Sequence, residues 1–117
     1  MMGLWRPLQV AWWRHMHPAG DNAAMSTALD IQHLPEQHTF AAVVDGHRCV
    51  ADYRLDGGVM RMTHTFVHPA LEGRGIAAQL VQAAFAWARA QGLKVDPVCS
   101  YVRVYLRRHP EWHDLQA

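Results

Sequence analysis

The stretch Glu72-Gly73-Arg74-Gly75-Ile76-Ala77 carries the chemistry that is easiest to read. It stands between a β-prone run and a strongly helical one. Glycines there permit backbone conformations that aim several N–H groups into one concavity, and a helix starting at that point adds unpaired donors and the positive end of its dipole. The place suits an anion such as a pyrophosphate; the competing reading is a glycine-rich turn that binds nothing. Two nucleotide loops are excluded. The third glycine of Gly-x-Gly-x-x-Gly falls on Ala78 and no parallel βαβ unit comes first, and the Lys-Ser/Thr pair of a Walker loop does not follow Gly75.

The nine histidines raise the question of a metal. Their close pairs are His15-x-His17, His64-x-x-x-His68 and His109-x-x-x-His113. The last two would share a helical face only if helix ran through both members, and Pro69 and Pro110 prevent that. No carboxylate or thiolate stands at a supporting spacing, so no metal is expected. Cys49 and Cys99 make neither a disulfide framework nor a Cys-x-x-Cys zinc pair, which predicts reduced thiols and a cytoplasmic protein. His64 has the side chain whose ordinary pKa suits a general base near neutrality. Its plainer reading is a sheet histidine with an ordinary hydrogen bond.

Several elements must position these residues. Thr39–Val44 is an apolar β-prone run ending at Asp45-Gly46, a pair favoured in two-residue type I′ hairpins. Next, Cys49, Ala51, Tyr53 and Leu55 alternate with Val50, Asp52 and Arg54, as a half-buried antiparallel strand requires. After Asp56-Gly57-Gly58, a strand from Val59 to Val67 is expected to put Met60, Met62, His64 and Phe66 on one face and Arg61, Thr63, Thr65 and Val67 on the other. Ile76, Leu80, Ala84 and Ala88 trace a helical stripe that Gly92 closes, predicting a helix over about 75–91. Leu93–Cys99 reads as a short strand interrupted by Pro97, and Ser100 as the N-cap of a second helix, about 101–109, stopped by Pro110. Strands, helix, strand, helix make an α+β fold with a mixed sheet.

The chain has 117 residues, 50% hydrophobic and 18% charged, with a formal net charge of +1, so it supports one core and carries no basic field for nucleic acid. Residues 1–30 differ. Trp5, Trp12 and Trp13 alternate with Arg6, Arg14, His15 and His17 ahead of any acidic residue. This segment is too short and too polar to span a bilayer. We expect a flexible or dispensable N-terminal extension ahead of a domain over 31–117, with Met25 as an alternative start; membrane or partner contact through residues 1–24 is the less favoured reading.

The chain resembles the GNAT superfamily of acetyl-CoA-dependent N-acetyltransferases, and within it the minimal, single-domain subfamily. The family signature is Gln/Arg-x-x-Gly-x-Gly/Ala; Gly75 and Ala77 match its small residues, while Glu72 replaces the leading residue. Further motifs occur in the expected order: Thr63-His-Thr, Gly92-Leu-Lys-Val, Pro97-Val-Cys-Ser-Tyr101 and Arg107-Arg-His-Pro-Glu-Trp112. The resemblance covers roughly residues 31–117 and implies a mixed, mostly antiparallel sheet splayed between its fourth and fifth strands, with the cofactor wedged into the splay.

Carried onto this chain, the resemblance implies that the backbone of Gly73, Arg74, Gly75, Ile76 and Ala77 holds the pyrophosphate of acetyl-CoA, while Thr65, Phe66 and Val67 pair main-chain groups with the pantetheine arm. The Arg74 side chain adds charge there or is a solvated arginine. For acetyl transfer to a primary amine it implies His64 as base and Tyr105 as the acid that protonates the departing thiolate, with Tyr101 one turn earlier as substitute. Cys99, at the far side of the splay, is a candidate nucleophile for a covalent route, ranked below direct transfer. A non-catalytic acyl-CoA-binding or regulatory module is the alternative function.

Overall fold

The structure is a computed structural model and describes residues 29–117. The readings of residues 1–24 and of Met25 therefore fall outside the described residues. Five strands form one sheet in the order β1-β2-β3-β4-β5: β1 Gln32–Leu34, β2 Thr39–Val44, β3 His47–Asp56, β4 Val59–Phe66 and β5 Lys94–Pro97. The first four are antiparallel, and β4 and β5 are parallel. Helix α1, Ile76–Ala90, crosses between them, and α2, Ser100–Arg108, follows β5.

β2 occupies the predicted residues, and its turn has both Asp45 (φ 52°) and Gly46 (φ 80°) left-handed, as a type I′ hairpin demands. β1 has no apolar alternation of its own. It is held from the side, because the His33 ring stacks on Phe40 at 4.1 Å and its Nε2 lies 2.6 Å from the Tyr53 hydroxyl. The end of α1 is a Schellman motif, with Leu93 N–H donating to the Ala88 carbonyl and Gly92 N–H to that of Arg89. The C-terminus returns to the free edge of β5, where Ala117 N–H donates to the Val95 carbonyl at 2.9 Å.

Phe40, Ala42, Cys49, Ala51, Tyr53, Met60 and Met62 of the sheet pack with Ile76, Leu80, Val81, Ala84, Phe85 and Ala88 of α1. Helix α2 adds Val102, Tyr105 and Leu106, and Phe85 meets Tyr105 edge-on at 5.7 Å. Both helices thus cover one face of the sheet.

The expected facing of β4 is corrected at one point. Asp52 pairs with His64 but Tyr53 pairs with Met62, so β4 carries an extra residue, Thr63, in a bulge. One inserted residue inverts every side chain beyond it. Met60 and Met62 are buried on the helix side, whereas His64 pairs with Asp52, and Phe66 with Val50, on the opposite face; Thr65 pairs with Ala51 and turns to the helix side. A second correction concerns the start of α2. Cys99, not Ser100, takes the N-cap position with extended backbone, and its carbonyl accepts the first helical bond, from Arg103 N–H at 3.0 Å.

Candidate active site

β4 leads into the glycine loop through a short helical turn, Pro69–Leu71, that His68 begins by accepting the Ala70 N–H on Nδ1 at 3.0 Å. Leu71 and Ile76 are both buried and anchor the loop at its ends. Between them Gly73 (φ 85°) and Gly75 (φ 75°) are left-handed, a conformation that side-chain-bearing residues adopt at a cost. A Cβ placed on either would meet no other atom within 4 Å, so the loop borders open space. Among the described residues no side chain caps the first turn of α1, and that turn contains no acidic residue, which leaves its N–H groups as orphan donors. These features fit a diphosphate. The Arg74 side chain is drawn aside: its guanidinium donates to Asp45, in the β2–β3 turn, at 2.9 Å. The same turn is pinned again where the His47 ring stacks on His68 at 3.8 Å.

β4 and β5 stay paired only as far as Met62 and Pro97, and Cys99 N–H closes the contact on the Met62 carbonyl at 2.9 Å. Beyond it, His64–Phe66 keeps its partners on β3, and Thr63–Phe66 has none on β5. The strands part there, as the splayed fold requires. Cys99 stands at the fork, and its sulfur lies 3.6 Å from the Thr65 hydroxyl. Burial pushes the Cys99 thiol up, but the Thr65 hydroxyl and the amides of Val102, Tyr101 and Thr65 favour the thiolate more strongly, and the net pKa is lowered. The sulfur makes no full capping hydrogen bond, so the helix acts on it chiefly through the field of its N-terminal amides.

His64 is exposed on the face away from the helices, and no hydrogen bond joins it to Cys99 or Tyr105 among the described residues. Tyr105 is buried between Phe85 and His109, whose ring stacks on it at 3.9 Å. Burial first, then the charge of Glu111 and the neighbouring Tyr101, push its pKa up, against a smaller lowering contribution from Trp112. Its hydroxyl therefore stays protonated well above neutral pH. Tyr101, one turn earlier, is more exposed, and burial raises its pKa as well.

Residues 39–115 match the model of a family described as GCN5-related N-acetyl-transferase. The chain belongs to the GCN5-related N-acetyltransferase family. It is 29% identical to Protein NATD1 of Xenopus tropicalis over 97 residues, covering 80% of this chain and 89% of the relative. It is 30% identical to Protein NATD1 of Homo sapiens over 85 residues, covering 70% and 75%. Among solved structures, the solution NMR structure of a GCN5-like protein from Staphylococcus aureus superposes with a TM-score of 0.63 at 25% identity, covering 76% of this chain and 88% of that one. Family and fold together indicate an acetyltransferase. Sequence reasoning missed the Thr65 side chain beside Cys99 and the Asp45 carboxylate on Arg74. Each contact joins residues far apart in the chain, so no local pattern announces it.

Proposed function

We propose that this protein transfers the acetyl group of acetyl-CoA to a primary amine. The observation that carries this reading is the continuity of the fork with the glycine loop, since β4 runs unpaired on one side from Thr63 to Phe66 and leads directly into it. Bound there, acetyl-CoA supplies the activated thioester. The backbone of Gly73, Arg74, Gly75, Ile76 and Ala77 would hold its diphosphate, and main-chain groups of Thr65, Phe66 and Val67 would pair with the pantetheine arm. His64 would take the proton of the attacking ammonium, and Tyr105, or Tyr101, would return one to the departing thiolate. Isothermal titration of the full chain with acetyl-CoA is the test. Saturable binding is expected, and none would remove the reading.

A covalent route is the second reading, favoured by the Thr65–Cys99 contact. In it the Cys99 thiolate forms a bond to the acetyl carbonyl, the bond to the CoA sulfur breaks, and the CoA thiolate leaves and takes up a proton. The amine then displaces Cys99. Mass spectrometry after incubation with acetyl-CoA and no acceptor decides between the routes. An acetyl adduct lost in Cys99→Ala together with turnover supports relay; an unmodified enzyme slowed by His64→Ala and Tyr105→Phe supports direct transfer. Acetyl-CoA binding without turnover on polyamines, amino acids and basic peptides would instead indicate a non-catalytic module.

A further inference from the structure

On the face away from the helices, β2 and β3 border an open groove of about 730 Å³. Its floor is one side of β3, where Arg48, Val50, Asp52 and Arg54 follow each other at every second position. Thr39 closes one side and the bulge residue Thr63 the other. The groove thus abuts the back of the unpaired stretch of β4, and Asp52 pairs in register with His64.

Neither arginine of this groove forms an ion pair among the described residues. The Arg54 side chain makes no ion pair or hydrogen bond among the described residues, and that of Arg48 only donates to the Gln37 side chain at 3.3 Å. Asp52 is the sole carboxylate among the lining residues, against two guanidiniums. A guanidinium fork matches a carboxylate in geometry and charge, whereas an ammonium finds one place only, at Asp52. Same-face neighbours on a strand stand about 7 Å apart. That spacing separates the Asp52 and Arg54 positions.

From this arrangement, and resting on the acetyl-transfer reading above, we propose that the groove is the acceptor site and that its acceptor carries a carboxylate within one dipeptide length of the amine. The amine sits against Asp52 beside His64, and the carboxylate sits on Arg54. Polyamines are the wrong class. Their second ammonium would be set among the arginines.

Two measurements on the full chain test this. In the first, transfer from acetyl-CoA to glycylglycine, glycylglycinamide and putrescine is compared. Glycylglycine should exceed the other two in kcat/KM by about tenfold or more, and Arg54→Gln should raise its KM about tenfold while leaving kcat, and all parameters for glycylglycinamide, within about twofold. The second follows backbone amides of Arg48, Asp52 and Arg54 by NMR during titration with glycylglycine, with and without CoA, and needs no turnover. Saturable shifts that weaken about tenfold for glycylglycinamide are expected. Binding of this kind without any acetyl transfer would keep the site and remove the transferase reading. Transfer to putrescine or glycylglycinamide as fast as to glycylglycine would remove the inference and keep the transferase. A preference for glycylglycine that survives both Arg54→Gln and Arg48→Gln, or no groove shifts with any compound, would also overturn it.

Discussion

The two faces of the sheet are built from the same strands and have opposite tasks. On the helix side Cys49, Ala51, Met60 and Met62 are fully buried against α1. On the other side Val43 is 69% and Phe66 45% exposed, and Arg48 and Arg54 reach solvent. Strand alternation lets β3 serve both faces with one residue in two, so the buried set fixes stability while the other set is free to be chosen for a ligand. β4 begins in the same way and then changes at Thr63. The bulge delivers Thr65 to the helix side beside Cys99 and leaves His64, the partner of Asp52, on the opposite face. Under the proposed acetyl transfer, groups for the two substrates would thereby stand on either side of a single strand.

The largest effects should fall on the helix side and in the loop it supports. Leu80 is fully buried at the centre of α1. Leu80→Ala should cost about 2–5 kcal/mol in urea unfolding; a loss of a few tenths would mean that the two faces do not differ as described. Gly75→Val comes next. A β-branched residue in the left-handed region costs about 1–2 kcal/mol, so the domain should stay folded while its side chain fills the open space at the start of α1. Acetyl-CoA binding should be abolished in calorimetry, and retained affinity would reduce the loop to a turn.

A smaller effect tests the fork. Because the Cys99 thiol is lowered, its thiolate persists to lower pH than that of an ordinary cysteine and is lost as pH falls through the lowered value. Thr65→Val removes a hydrogen bond that favours the thiolate. The pH midpoint of iodoacetamide alkylation at Cys99 should move upward, and the rate at neutral pH should fall about threefold to tenfold, the worth of one hydrogen bond of ordinary strength. An unchanged profile would leave the backbone amides of Val102, Tyr101 and Thr65 as the whole cause.

What could be read beforehand was local. β2, its turn and α1 follow from patterns shorter than a helix, and α1 begins and ends one residue inside its expected limits. The facing of His64 and Phe66 came out inverted because no residue type marks a bulge at Thr63; the pairing of β3 with β4 creates it. β1 was invisible because three residues, Gln32-His33-Leu34, carry no period, and their place is set by Phe40 and Tyr53. Thr65–Cys99 and Asp45–Arg74 span 34 and 29 residues, distances over which only tertiary packing chooses partners. The glycine loop is continuous in sequence, and its place ahead of α1 was legible; the Thr65–Cys99 contact at the fork is not continuous and was not.

The smallest expected effect lies on the groove side, and its smallness is what makes it useful. Val43 pairs with Arg48 across the β2–β3 hairpin and projects on the face that bears the groove. Threonine keeps the β-branch and the strand preference of valine and differs by one hydroxyl in place of a methyl. In water that exchange is nearly neutral, so Val43→Thr should change stability by less than about 0.5 kcal/mol. In a covered site the same hydroxyl would be desolvated without a partner, at a cost of about 1–3 kcal/mol. Urea unfolding of Val43→Thr beside Leu80→Ala therefore measures the contrast between the faces directly. A loss above about 1 kcal/mol would mean that this face is covered in solution, and the groove beside it would not be open to a small acceptor.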